Sequence, residues 1–159
     1  MSDSRRELYD SCKLQIEEKR LEAAYGTYLL FSNEDSTSEA SISLRRNLSA
    51  ALQEKAAGIL TPMLVDISNF DAEEEEVLQA YEDLDKAAEL LGKEHFLYDK
   101  LQARKLFLKG MLYEWDYYPD TTPDAVLGWL ELSATLEPSA PYTYFVLAQL
   151  HDNEKNSIE

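Results

Sequence analysis

The sequence predicts an all-α protein built from about three antiparallel helical hairpins. Apolar residues make up 45% of its 159 residues, enough to form a core, and only five Gly and five Pro interrupt the chain. A fold of many short strands needs more turn residues than that. Apolar residues recur mostly at intervals of three, four or seven, as on one face of a helix. We expect a long hairpin in residues 1–70 and irregular helical repeats in residues 71–159, forming one continuous structural unit.

The chain is strongly acidic: 15 Lys and Arg stand against 31 Asp and Glu, for a net charge of −16. Residues 61–159 hold 21 of the acidic residues and 7 of the basic ones. Nucleic acids and anionic membranes are poor partners for such a chain, because both recruit clustered cations. The sequence shows no signal-peptide pattern and no run of 18 apolar residues, which favours a cytoplasmic location. Its single cysteine, Cys12, allows no internal disulfide and no Cys-based zinc site.

The first helix is expected from about residue 5 to Phe31. Ser4 and Glu7 have the spacing of an N-terminal capping box, in which each side chain bonds the other residue's backbone amide. Apolar residues then continue at helical spacing. Residues 32–41 are rich in Ser, Thr, Asn and acids, so we interpret them as the loop to the second helix.

The second helix is recognised by a heptad-like apolar stripe, which should pack antiparallel on the first helix. Pro62 lacks an amide hydrogen, and its ring crowds the carbonyl of Gly58, so we expect the helix to kink or stop there. The stripe consists of Leu44, Leu48, Leu52, Ile59 and Met63.

A third helix should begin near Asp71. Glu73–Glu76 then lie in its first turn, where carboxylates interact favourably with the positive end of the helix dipole. Gly92 is a natural C-terminal stop. A fourth helix is expected from about residue 94 to residue 115.

The fifth helix has the clearest boundaries. Thr122 can cap its N-terminus, and Pro123 suits the first helical position, where no amide hydrogen is needed. Pro138 should close it, and a sixth helix should start near Pro141.

The chain resembles itself at an offset of 46 residues. Small and large apolar residues recur at matching places, as expected when each hairpin must accept the next at close range. The matching pairs are Ala80 with Val126, Leu84 with Leu130, Ala88 with Ala134, Leu90 with Leu136, Tyr98 with Tyr144, and Leu101 with Leu147.

One motif in the sixth helix resembles a known repeat. Tyr144-x-x-Leu147-Ala148-x-x-His151 places a large aromatic, a leucine, a small residue and an aromatic at the spacing of the first helix of a tetratricopeptide repeat. The resemblance is clearest over residues 100–152. It implies a short α-solenoid of stacked hairpins that binds other proteins.

The residues before this motif agree with the same family. Ala125-x-x-x-Trp129, followed by Pro138, resembles the second helix of the preceding repeat and its closing proline. Gly110 and Tyr113 resemble the small and aromatic positions of a first helix before that one. The resemblance implies that all these residues are packing positions.

The small residues have a physical role in this interpretation, because they let two helices approach closely. Gly110 and Ala148 would be such contact points. The pattern is irregular, since Lys109 replaces an expected leucine and the two small residues lie 38 positions apart, against a usual period of about 34. No partner helix follows the mostly apolar sixth helix, which favours an excised domain of a longer protein.

Enzyme signals are weak. The sequence has no phosphate-binding glycine loop, no nucleophile elbow and no zinc-protease motif. His95 is interpreted as a surface residue at a helix start, and His151 as a packing residue. Glu73–Glu76 cannot converge on a cation, because consecutive helical residues point in different directions. We therefore expect no catalytic residue, no cofactor and no metal site.

The best functional lead is a cluster of aromatic and acidic residues after the fourth helix. Trp115, Tyr117 and Tyr118 exceed what the packing pattern requires, and aromatics of this kind are enriched at binding hot spots. Nearby acids would select a basic or mixed aromatic-basic partner and speed its encounter. These acids are Asp116, Asp120 and Asp124.

Three hypotheses of function remain open. The first is a non-catalytic scaffold that binds a partner peptide or domain in a groove of the 94–151 region. The second is an auxiliary docking or regulatory domain of a larger enzyme or signalling protein. The third is a small enzyme or ligand-binding bundle, for which no convergent set of acid, base and nucleophile is found. Oligomeric state is open too, because a heptad-like stripe fits packing within one chain or between chains.

Overall fold

The computed structural model describes residues 1–65, 71–113, 120–140, 143–144, 146–148 and 151–152, with only the backbone at residues 63 and 64. These ranges contain helices and no strand, which confirms the all-α prediction. Residues 143–144, 146–148 and 151–152 are helical and are called here the segment after α6. The helices before it are α1 (Asp3–Glu17), α2 (Leu21–Ser32), α3 (Glu39–Val65), α4 (Glu74–Leu91), α5 (Tyr98–Tyr113) and α6 (Pro123–Leu136).

The helices stack in the order of the sequence. The most extensive contacts join α1 with α2, α3 with α4, α4 with α5, and α5 with α6, while α3 also touches α1 and α2. Short connections between packed helices give antiparallel hairpins. In the part of the chain that the structure describes, none of the helices combines the length and the hydropathy that crossing a membrane requires.

The first predicted helix is wrong in one respect, since it is two helices. Lys19, with φ 59°, lies in the turn that interrupts the helix between α1 and α2. Four charged residues, 17–20, separate Ile16 from Leu21, so this stretch offers the core no apolar residue. The break lets α2 fold back on α1, where the buried Cys12 thiol donates to the carbonyl of Ala24 at 3.5 Å.

The N-terminal cap of α1 also differs from the prediction. Ser2 is the cap, and its Oγ accepts a hydrogen bond from the Arg5 amide at 3.3 Å. Ser4 lies inside the helix, so the predicted capping box with Glu7 does not form. Ser2 and Ser4 are both good capping residues, so residue type alone does not distinguish them.

Helix α3 largely follows its predicted stripe. Three leucines of the stripe are fully buried, while Ile59 is half-buried and the buried face shifts to Ala56 and Leu60. The side chain of Met63 lies outside the described residues. Pro62 does not end the helix, which continues to Val65. The proline is exposed in the last turns, where its ring can be accommodated on the solvent side.

The predicted C-terminal end of α4 and both predicted ends of α6 are confirmed, whereas α4 begins at Glu74, three residues later than expected. Glu73 and Glu76 form a capping box at the start of α4, and Gly92 ends the helix with φ 80°. Thr122 caps α6 by accepting from the Ala125 amide, and Pro123 takes the first helical turn. Helix α6 ends at Leu136, before Pro138. Helix α5 begins at Tyr98, later than expected, because residues 92–97 form turns.

The 46-residue offset corresponds to equivalent positions in α4 and α6. Three of the matched pairs are buried on both helices: Ala80 with Val126, Leu84 with Leu130, and Ala88 with Ala134. The remaining pairs agree less well, since Leu136 and Leu147 are only half-buried and Tyr144 is 48% exposed. Helix α5 lies between the two, and Gly110 on it is buried against Leu130.

The predicted packing positions divide into two groups. Gly110 is buried, and the half-buried residues Tyr113, Trp129 and Leu147 pack against the core. For the other five residues the packing prediction is wrong, because each is exposed: Ala125, Pro138, Tyr144, Ala148 and His151.

The exposure of these residues has a geometric cause. Helix α6 buries Val126, Leu130 and Ala134, and Ala125 precedes that face by one residue, or about 100° of rotation. The segment after α6 buries the side that carries Thr143 and Val146. Its opposite side carries the exposed residues Tyr144, Ala148 and His151.

Candidate functional site

A cleft between α3 and α4 is the candidate site. Its volume is about 390 Å³. Lys55 and Ile59 line it from α3, four residues apart and therefore on one face of that helix. From α4 the lining residues are Glu75, Glu76, Gln79, Ala80 and Asp83, which share one face for the same reason.

Asp83 is the buried acid of this cleft, with 2% of its surface exposed. Its Oδ1 accepts a hydrogen bond from Gln79 Nε2 at 3.0 Å. Its Oδ2 lies 3.2 Å from Lys55 Nζ but accepts no hydrogen bond of good alignment. A carboxylate has about four acceptor positions, so Asp83 keeps unused acceptor capacity in a desolvated place.

The mouth of the cleft is more solvated than its floor. The Lys55 side chain is 49% exposed, and Glu75 and Glu76 are exposed as well. Glu76 also accepts the Glu73 amide at 3.0 Å within the capping box. With three carboxylates and one ammonium among the described lining residues, the cleft carries a formal charge of −2.

Other charged residues of α4 form contacts with neighbouring helices. Asp85 pairs with Lys105 of α5 at 2.7 Å, and Lys86 pairs with Glu22 of α2. The Tyr25 hydroxyl of α2 donates to Glu89 at 3.0 Å. Burial first, and then this hydrogen bond, raise the pKa of Tyr25 to about 12. These contacts join α4 to α2 and α5, and their residues lie outside the cleft lining.

The aromatic cluster predicted to bind a partner falls mostly outside the described residues. This applies to Trp115, Asp116, Tyr117 and Tyr118. Asp120 is exposed before α6, and Asp124 is exposed in its first turn. Neither of these two acids lines the α3–α4 cleft.

The described aromatics near that cluster take part in packing. Lys109 Nζ lies 4.0 Å from the centre of the Trp129 ring, a cation–π contact between α5 and α6. Lys109 therefore contributes to the contact between these two helices.

An exposed aromatic lies in the turns between α4 and α5. Phe96 is 85% exposed, and its ring stacks on that of His95 with 4.6 Å between ring centres. His95 is half-buried, and its Nδ1 accepts from the Leu97 amide at 3.2 Å. His95 was predicted to be a surface residue, but it is half-buried, and its ring forms a hydrogen bond within the turn.

The sequence contained one usable signal for the cleft that pattern analysis missed. Asp83 falls on the apolar face of α4, between the buried Ala80 and Ala87. An acid at a core position is seldom buried without a cationic partner. The partner, Lys55, lies on another helix 28 residues away, so spacing within α4 could not identify it.

Comparison of the chain with models of protein families, with curated proteins and with solved structures gave no match. Within the described ranges, no group of three His, Cys, Asp or Glu residues is arranged to hold a metal ion.

Proposed function

We propose that this chain is a non-catalytic protein-interaction scaffold, which binds a partner peptide or domain through a basic or mixed aromatic-basic segment. The observation that carries the proposal is the acidity of α4. Helix α4 holds seven acidic residues and one basic residue, and it lies between α3 and α5. Four of these acids are exposed: Glu75, Glu76, Glu82 and Glu89.

This acidity has a cost in the free protein, because like charges on one helix repel each other. A cationic partner segment relieves the repulsion and gains favourable interactions, whereas an acidic segment would add to it. The net charge of −16 gives the protein a negative electrostatic potential beyond α4, which speeds the approach of a cationic partner at low salt. The tetratricopeptide-like groove of residues 94–151, with Trp115, Tyr117 and Tyr118 as anchors, remains part of this proposal.

The test begins with identification of a partner by affinity capture on the immobilised chain, followed by titration of the purified partner. The dissociation constant should rise steeply with salt concentration. Substituting Trp115 and Tyr118 together by Ala should weaken binding about tenfold or more, with the melting temperature nearly unchanged. Binding that is insensitive both to salt and to this double substitution would contradict the proposal.

An alternative function is an auxiliary docking or regulatory domain of a larger enzyme or signalling protein. The exposed residues Tyr144 and Ala148 of the segment after α6 favour it, since a further polypeptide could cover them. Sequencing the parent reading frame and testing whether the added part shields Tyr144 from modification would distinguish the two functions. Free access to Tyr144 in the parent protein would count against the alternative.

A further inference from the structure

We infer that the α3–α4 cleft is a recognition pocket for an arginine side chain of the partner polypeptide, with Asp83 as its buried counter-charge. The inference rests on the proposed function and names the chemistry of one contact within it. Cavities of about 300–1,000 Å³ are typical of small-ligand sites, and the cleft falls within that range. One guanidinium with its methylene stem fits such a volume.

The acceptor geometry favours a cation from outside. Asp83 is buried, yet its Oδ2 accepts no hydrogen bond, and its ion-pair partner Lys55 is half in solvent. The Lys55 side chain is long and 49% exposed, so its ammonium can leave the ion pair with Asp83 and move outward to water when another cation replaces it. A guanidinium entering the cleft would then supply the directed N–H donors that Asp83 lacks.

The walls favour a guanidinium over an ammonium. Ile59 and Ala80 give the cleft apolar walls. A guanidinium is planar and more weakly hydrated than an ammonium, so it loses less hydration free energy on entering such a space. The Gln79 amide donates to Asp83 through Nε2, which leaves its oxygen as a further acceptor.

Charge excludes the opposite class of ligand. The cleft carries a formal charge of −2 with Lys55 present, and one arginine reduces it to −1. A carboxylate or phosphate would meet three carboxylates and one partly solvated ammonium. Glu75, at the mouth and exposed, adds to the attraction of a cationic side chain during its entry.

The experiment uses the full chain labelled with ¹⁵N and two small probes. N-acetyl-arginine amide carries the guanidinium, and the corresponding citrulline amide has nearly the same shape without the charge. Saturable shifts of the backbone amides of residues 55–59 and 75–83 are expected with the arginine probe. Its dissociation constant should be about millimolar, as expected for so small a ligand. The citrulline probe should bind about tenfold more weakly or not at all.

Variants locate the contact. Asp83→Asn keeps the size of the side chain and should weaken the arginine probe about tenfold. Glu82→Gln is the matched control, since Glu82 is exposed on the same helix, outside the cleft lining, and loses the same charge. Glu82→Gln should change the dissociation constant of the arginine probe less than about twofold. Lys55→Met should tighten binding, because Asp83 then has no internal cation.

A further variant covers the case in which Asp83→Asn fails to fold. Glu75→Gln alters an exposed residue and should still weaken the arginine probe about twofold to threefold. Equal binding of the citrulline probe would overturn the inference, as would equal losses in Asp83→Asn and Glu82→Gln. Weaker binding in Lys55→Met would also overturn it.

The failures of the two proposals can be told apart. If the arginine probe fails while an identified partner binds with a salt-sensitive affinity, the pocket is wrong and the scaffold proposal stands. If the probe binds through Asp83 but the chain has no partner segment that it binds in a salt-sensitive manner, the pocket stands and the scaffold proposal is wrong.

Discussion

The contact between Gly110 of α5 and Leu130 of α6 leaves no room for a β-carbon. An atom placed there would lie 2.9 Å from Leu130 Cδ2 and 3.2 Å from its Cγ. Leu130 is fully buried, so its side chain has little space into which to withdraw. The two helices therefore approach each other through the missing side chain, as the predicted role of Gly110 required.

We predict that Gly110→Ala is less stable than Gly128→Ala. Both glycines lie inside helices, where alanine gains about 1 kcal/mol in helix propensity. Gly128 has open space around its β-position, so this gain should appear in full. At Gly110 overpacking costs about 1–3 kcal/mol and cancels the gain or exceeds it. Urea unfolding of both variants measures the difference, and equal stabilisation of the two would show that Leu130 can move aside.

We predict that Lys19→Gly stabilises the protein, whereas Lys13→Gly destabilises it. Lys19 has φ 59°, a conformation that costs a side-chain-bearing residue about 1–2 kcal/mol. Glycine removes this cost, although the greater freedom of the unfolded chain takes back part of the gain. Lys13 lies inside α1, where glycine should cost about 1 kcal/mol. The Lys19–Glu54 ion pair that Lys19→Gly removes is largely exposed and contributes less than about 1 kcal/mol. Opposite shifts of the melting temperature therefore indicate the backbone effect, and parallel shifts would rule it out.

We predict that Lys55→Met destabilises the protein more than Lys19→Met does. Removing Lys55 leaves the buried Asp83 without its cation, at a cost of about 2 kcal/mol or more. Lys19 pairs with Glu54 at 2.7 Å, but both side chains are largely exposed, so this pair contributes less than about 1 kcal/mol. Denaturant unfolding at neutral pH compares the two variants. Similar losses would mean that water reaches Asp83 and screens its charge.

We predict a loss of stability between about pH 9 and pH 11 that depends on Cys12. Burial raises the pKa of its thiol to about 11, from an ordinary value of 9.0. The unfolded chain releases this proton near pH 9, while the folded chain keeps it until near pH 11. Folding is therefore favoured below pH 9, and this contribution is lost as the pH rises to 11.

The loss assigned to Cys12 should reach about 2–3 kcal/mol, from two pKa units at about 1.4 kcal/mol each. Cys12→Ala should lack this part of the alkaline loss, although it starts from a lower stability because of the cavity it leaves. Tyr25 is present in both proteins, so the difference between their pH profiles isolates the thiol. Parallel profiles would place the thiol in contact with water.

Local chemistry explains most of the boundaries that could be predicted. The caps of α4 and α6 depend on Glu73, Gly92, Thr122 and Pro123, which act on backbone groups within one turn. Such interactions need no information from elsewhere in the chain. The same reasoning chose the wrong serine at the start of α1, because Ser2 and Ser4 are equally capable of capping and lie two residues apart.

The candidate site was less accessible to sequence analysis. Its two essential charges, Lys55 and Asp83, lie on different helices, and only the packing of α3 on α4 brings them to 3.2 Å. The residues that pattern analysis favoured instead, such as Trp115, were chosen by composition, and they lie outside the described residues. Sequence analysis also assigned Tyr144, Ala148 and His151 to packing positions, whereas the structure exposes them. The repeat pattern could not show which side of this segment its neighbours cover.

The sequence alone determined that this chain is helical, where α4 ends and where α6 begins and ends, and that its later half carries most of the negative charge. Those properties follow from periodicity, capping and composition, which are all local. Only the tertiary structure decided that the chain turns back at Lys19, that Asp83 is buried beside Lys55, and that Tyr144 faces outward. Periodicity fixes the angle between side chains on one helix, but which side is covered depends on the neighbouring helices that pack against it.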